Sequence, residues 1–153
     1  MRILVVCLGN ICRSPLGHGC LEHLIKKAGL DWEVDSAGTG SWHIGNMPDK
    51  RAIAVAKHNN IDISHQRARQ IQKEDFNRFD HILVMDRQNY EDVLALADND
   101  EQRSKVGLFL GEEAYVQDPY WDDSLFEPVF NQIYDHSQRL IEKLEDRSNK
   151  EIK

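Results

Sequence analysis

Four short apolar stretches, at residues 3–6, 32–35, 81–85 and 106–109, are separated by segments of helical periodicity, and this alternation most limits the fold. A strand that passes through a helix before the next strand returns to the sheet in parallel, and a parallel sheet needs helices over both faces. After Pro15, the apolar residues Leu16, Cys20, Leu21, Leu24, Ile25 and Ala28 recur at helical spacing, and Gly29 supplies a stop. Pro48 opens a second helix through about residue 58, and residues 88–97 fit a third. Leu125, Phe126, Val129, Phe130, Ile133, Leu140, Ile141 and Leu144 mark a long final helix with one apolar stripe. Sheets of this kind carry their active sites beyond the carboxyl ends of the strands, where the strand order reverses.

No repeat, Pro-rich linker or low-complexity tract divides the 153 residues, so the expectation is a single domain over 1–153 whose polar tail, 148–153, frays. A formal net charge of −7 argues against nucleic acid or an anionic membrane as main partner, since either demands a basic footprint. No apolar run approaches the length of a membrane span. Three unevenly spaced cysteines make no secreted disulfide framework and point to a reducing, cytoplasmic setting. A cysteine that matters here then matters for its chemistry.

The sharpest local feature is Cys7-Leu8-Gly9-Asn10-Ile11-Cys12-Arg13-Ser14-Pro15, a cysteine leaving the first strand and an arginine six positions later where a helix begins. Successive N–H groups of such a loop can converge on one centre, the helix dipole adds positive charge, and Gly9 permits the tight turn. The loop is an anion cradle suited to a phosphate dianion. Arg13 offers a planar fork for two phosphate oxygens, and the same positive field favours a Cys7 thiolate, the nucleophilic form. Ser14 is placed to hydrogen-bond that sulfur. Alone, the spacing would fit a small buried cysteine at a strand end; the glycine, serine, proline and strand-to-helix setting move the reading to chemistry. Cys7, Cys12, His18, Cys20 and His23 are zinc-type ligands by composition, but their spacing matches no common pattern, and no metal or cofactor is expected.

A thiolate that expels an alkoxide or phenoxide needs a proton donor on the leaving-group side. Asp118 is the candidate, in Gln117-Asp118-Pro119-Tyr120-Trp121-Asp122-Asp123 after the fourth strand, with Tyr120 and Trp121 placed to line a slot for an aromatic ring. The small-residue segment Asp35-Ser36-Ala37-Gly38-Thr39-Gly40-Ser41-Trp42 reads as a loop after the second strand. There Ser36 is expected to hydrogen-bond Asn10, and Trp42 to form a further wall. His65 is a candidate supporting partner, although a lone histidine in a polar segment is commonly just exposed.

Together, Cys7 through Ser14 and Asp118-Pro119-Tyr120 resemble the low-molecular-weight protein tyrosine phosphatases, with Asp35 through Thr39, Ala68-Arg69-Gln70 and Asp80 through Asp86 as supporting segments. The resemblance implies an α/β three-layer sandwich, a four-stranded parallel sheet with helices on both faces, of the phosphotyrosine phosphatase I-like kind. It implies hydrolysis of phosphotyrosine without metal, through a phosphocysteine. By this likeness Leu8, Gly9, Asn10, Ile11, Cys12, Arg13 and Ser14 hold the phosphate, Cys7 is the nucleophile, Arg13 the transition-state clamp and Asp118 the general acid and then base. Ser14, Ser36 and His65 fall in its supporting network. Cys12 matches a second loop cysteine that can pair with the nucleophile on oxidation, a redox protection. The implied partners are phosphotyrosine-containing proteins, among them a bacterial tyrosine kinase, met by a monomer or weak dimer.

Two relatives with this loop are disfavoured. An arsenate reductase on this fold needs relay cysteines, which this chain lacks beyond Cys20, and the arginine-phosphatase branch carries threonine where this chain has Ile11. A phosphate-binding module without catalysis would retain Cys7, Arg13 and Asp118 together only by coincidence.

Overall fold

A computed structural model describes residues 1–111 and 115–152. Strand β1 (Arg2–Cys7) leads through a loop into helix α1 (Arg13–Lys27), and β2 (Glu33–Gly38) then pairs in parallel with β1. Helices α2 (Lys50–His58) and α3 (Asp75–Arg78) precede β3 (His81–Val84), which lies on the opposite side of β1. Helices α4 (Arg87–Leu94) and α5 (Asp100–Ser104) lead to β4 (Val106–Leu108), and a 3-10 turn (Asp123–Leu125) enters the long α6 (Phe126–Ile152). The sheet order is β2-β1-β3-β4, all parallel. The chain therefore leaves β1 for one side, then crosses to the other, and the order reverses at the carboxyl end of β1, where Cys7 sits.

The period of two along β1 sorts its side chains into two cores. Ile3, Val5 and Cys7 turn toward α1, α2 and α6, where they meet Leu16, Cys20, Phe130 and Ile133. Leu4 and Val6 turn the other way, onto Phe76 of α3, Phe79 and Val93 of α4. Both faces of the central strands are thereby buried, which is why they read as continuous apolar runs. The three-layer architecture matches the expectation.

The differences lie at boundaries. β2 was expected at residues 32–35 but runs to Gly38, because Ser36, Ala37 and Gly38 pair with Val5, Val6 and Cys7. Small residues give no strand signal of their own; the ladder with β1 extends them. Glycine is required at 38, where a Cβ would stand 2.8 Å from the Leu8 carbonyl oxygen. Helix α1 starts at Arg13, two residues before Pro15, so the proline lies in the first turn, where its missing N–H costs nothing. Helix α4 ends at Leu94 and β4 at Leu108, each shorter than expected, and the short α3 and α5 were not foreseen. The backbone of α6 runs from Phe126 to Ile152.

Candidate active site

The loop after β1 is held from outside through its carbonyls. The Cys7, Leu8 and Ile11 carbonyls accept hydrogen bonds from the N–H groups of Thr39 (2.9 Å), Gly40 (2.9 Å) and Asp49 (2.8 Å). With its oxygens turned to the flanking segments, the loop leaves the N–H groups of Leu8, Gly9, Ile11 and Cys12 without a backbone acceptor among the described residues. Together with the amino terminus of α1, these N–H groups have the arrangement that an anion cradle requires.

Asn10 locks the turn. Its φ of 56° is left-handed, a region that asparagine tolerates better than most side chains. Its N–H donates to Cys7 Sγ at 3.3 Å, its Nδ2 donates to Ser14 Oγ at 2.8 Å, and its Oδ1 accepts from the Arg69 N–H at 3.0 Å. Ser14 Oγ in turn lies 3.1 Å from Cys7 Sγ. Two polar groups thus converge on one buried sulfur, and the expected pairing of Ser14 with Cys7 is present.

Arg13 is 4% exposed and is gripped from the protein side. Its Nη1 donates to Asp86 Oδ2 at 2.6 Å and to the Val116 carbonyl at 3.0 Å, while Nη2 lies 3.9 Å from Asp118 Oδ2. Asp86 also caps α4 by accepting from the Asn89 N–H at 2.8 Å, so a helix terminus fixes the guanidinium. Burial works against the charge on Arg13, but Coulombic attraction from Cys7, Asp86 and Asp118 and the hydrogen bond to Asp86 outweigh it and raise its pKa. Burial also pushes the Cys12 thiol up, with Asp49, Cys7 and Asp118 adding to the shift, so Cys12 stays protonated.

The segment bearing Asp118 is tied to the same strand ends. The Val116 N–H donates to the Met85 carbonyl at 2.7 Å, just beyond β3, and Asp118 Oδ1 accepts from the Tyr120 N–H at 3.1 Å. Arg51 anchors the aromatic side of the segment: it pairs with Asp123 at 2.5 Å and with Asp49 at 2.9 Å, and stacks 5.4 Å from the Tyr120 ring centre and 4.5 Å from that of Phe126. A cavity of about 280 Å³ results, lined by Cys7, Gly9, Ile11, Arg13 and Asp118. Trp42, His43, Tyr120 and Trp121 stand as its walls, Tyr120 and Trp121 edge to face at 4.8 Å. A family model described as low molecular weight phosphotyrosine protein phosphatase matches residues 2–150. This chain belongs to that family.

The family relative from Schizosaccharomyces pombe, a low molecular weight phosphotyrosine protein phosphatase, is 39% identical over 154 residues, covering 94% of this chain and 97% of its own. Among solved structures, a protein tyrosine phosphatase from Entamoeba histolytica with Hepes in the active site superposes with a TM-score of 0.90 at 32% identity, covering 97% of this chain and 99% of that one. Vibrio vulnificus Wzb in complex with benzylphosphonate superposes with a TM-score of 0.84 at 33% identity, covering 93% and 97%.

Two expected members of the family network fall elsewhere. Ser36 does not reach Asn10; it stands inside β2 opposite Val5, and its hydroxyl pairs with His18 Nδ1 at 3.0 Å. The strand runs three residues further than its sequence suggests, which sets Ser36 back from the loop. Asn10 takes the Arg69 N–H in its place. His65 is exposed and lines a separate groove with Glu22, His23, Trp32 and Asp62, away from the loop. Conversely, Asp86, Arg69, His43 and Arg51 join the site without having been assigned a role there. For Asp86 a signal existed, since an aspartate just beyond an apolar strand is a ready helix cap.

Proposed function

We propose that the chain hydrolyses phosphotyrosine in proteins through a phosphocysteine on Cys7. The observation that carries this is the convergence of Cys7, Arg13 and Asp118 with three aromatic side chains in one cavity of about 280 Å³. An aromatic ring fits between Trp42 and the Tyr120–Trp121 pair, with its phosphate on the loop. A phosphonate on a benzyl group, the ligand of the Wzb structure, has this shape.

In the first step Cys7 Sγ, as thiolate, attacks phosphorus. The S–P bond forms, the bond to the tyrosine oxygen breaks, and Asp118 gives the departing phenolate its proton. The N–H groups of the loop and the Arg13 fork hold the three non-bridging oxygens, whose charge is spread in the transition state. In the second step Asp118, now a carboxylate, takes a proton from water as the water oxygen attacks phosphorus. The S–P bond breaks, phosphate leaves, and the Cys7 thiolate is restored with help from Ser14 and the Asn10 N–H. Phosphotyrosine-bearing proteins, a bacterial tyrosine kinase among them, are the proposed partners, met by a monomer or weak dimer.

The test is hydrolysis of matched phosphotyrosine, phosphoserine and phosphoarginine peptides by the purified, reduced protein without added metal, beside Cys7→Ser. Activity confined to phosphotyrosine and absent from the variant is expected. Activity on phosphoarginine alone would move the chain to the sister branch, and thioredoxin-coupled arsenate reduction with no peptide hydrolysis would overturn the reading.

A further inference from the structure

Beside the catalytic cavity lies a second one of about 250 Å³, which shares Leu8 and Trp42 with it as a dividing ridge. Trp42 is 71% exposed, yet its ring has a defined seat: a Cβ on Gly40 would fall 2.0 Å from the indole, so only the bare glycine lets the ring lie against the backbone. A peptide that crosses this ridge with its phosphotyrosine in the first cavity places a flanking side chain in the second.

The lining states what that side chain is. Leu8, Ile71, Leu96 and the Trp42 indole supply apolar surface, and Asp92 is the one ionisable residue among those that line it. The Thr39 hydroxyl at its wall is buried without a hydrogen-bond partner among the described residues. The Asp92 carboxylate accepts only the neutral Gln88 amide, at 2.9 Å, among its side-chain hydrogen bonds in the described residues. A long alkyl stem ending in a cation matches this set: its methylenes lie on leucine, isoleucine and indole, and its head reaches the carboxylate. The net charge of −7 favours the same sign of partner. We propose that this cavity is a substrate subsite for a lysine or arginine flanking the phosphotyrosine, an inference that rests on the phosphotyrosine reading above.

The experiment compares the native chain with Asp92→Asn on phosphotyrosine peptides that differ at one flanking position, carrying Lys, Arg, Ala, Leu or Glu there, and on p-nitrophenyl phosphate, which has no flanking residue. At one position, Lys and Arg should raise kcat/KM about fivefold over Ala, mostly through KM, the size expected of a single half-exposed ion pair. Asp92→Asn should abolish that preference and leave p-nitrophenyl phosphate hydrolysis unchanged. The subsite is refuted if no position discriminates, if Leu matches Lys, or if the preference survives in Asp92→Asn. Failure of the native chain to hydrolyse p-nitrophenyl phosphate is a different result: it sinks the phosphatase reading, and the subsite with it.

Discussion

Asp118 separates phosphoryl transfer from phosphate binding, because only transfer needs its proton. Replacing it with alanine should slow hydrolysis of tyrosine phosphate by about a hundredfold or more, the usual worth of general acid catalysis. The loss on p-nitrophenyl phosphate, whose leaving group needs little protonation, should be much smaller; steady-state kcat on the two substrates decides, and equal losses would remove Asp118 from the role. Arg13→Lys should lower kcat more than it raises KM, since a point charge cannot replace a fork held by Asp86 and the Val116 carbonyl. At this scale the cradle was legible because its parts are consecutive: Cys7, Asn10, Arg13 and Ser14 lie within one turn of chain. Asp86, Arg69 and Arg51 were not, because they reach the loop only through the sheet order and the packing of other segments. Ser36 carries no local signal of its true place, because pairing with β1 and not an apolar pattern carries β2 on to Gly38. Cys12 is the proposed resolving cysteine after peroxide oxidises Cys7, and Cys12→Ser should leave a larger fraction that thiols cannot reactivate. Equal recovery by the variant and the native chain would exclude that role.

Helices and loops position these groups, and Arg51 shows how. Lying just inside α2, it clamps Asp49, whose N–H supports the phosphate loop, and stacks on Tyr120 in the segment bearing Asp118. Arg51→Ala should therefore reproduce part of the Asp118→Ala pattern, with a greater loss on poor leaving groups than on good ones, and Arg51→Lys should restore some of it. A uniform loss across leaving groups would make Arg51 a structural residue only. Helix α1 is joined to β2 by the His18–Ser36 bond and carries the His18–Glu22 pair. Partial burial raises the Glu22 pKa, but the hydrogen bond and charge of His18, with the charge of His65, hold it below the ordinary carboxylate value. The unfolded chain then takes up that proton more readily than the folded one, so this stabilisation is complete above about pH 4.5, the ordinary glutamate value, and lost as pH falls through the lowered pKa. Glu22→Gln should show a shallower acid loss of stability in denaturant titrations, and an unchanged slope would contradict the pairing. The long elements were legible from periodicity, whereas α3 and α5, of 4 and 5 residues, are too short to display a full helical repeat.

In the whole molecule, one topological event gathers the site: the chain leaves β1 toward β2 and returns across it to β3, opening the crevice at Cys7. The sequence indicates a parallel sheet because its apolar strand segments alternate with helical ones, but the strand order is a property of long-range pairing that local pattern does not carry. In a chain of formal net charge −7, a buried arginine beside two aspartates places one positive charge at the loop. The claim that joins these levels is that the phosphoryl group passes through Cys7. Acid quench of Asp118→Ala during turnover of p-nitrophenyl phosphate, followed by peptide mapping, tests it most directly, because that leaving group needs little protonation, so removal of the base slows mainly the second step and lets the intermediate accumulate. The account predicts phosphate on the peptide bearing Cys7, and none in the Cys7→Ser chain treated alike. Turnover with phosphate on another residue, or with equal labelling in Cys7→Ser, would contradict it.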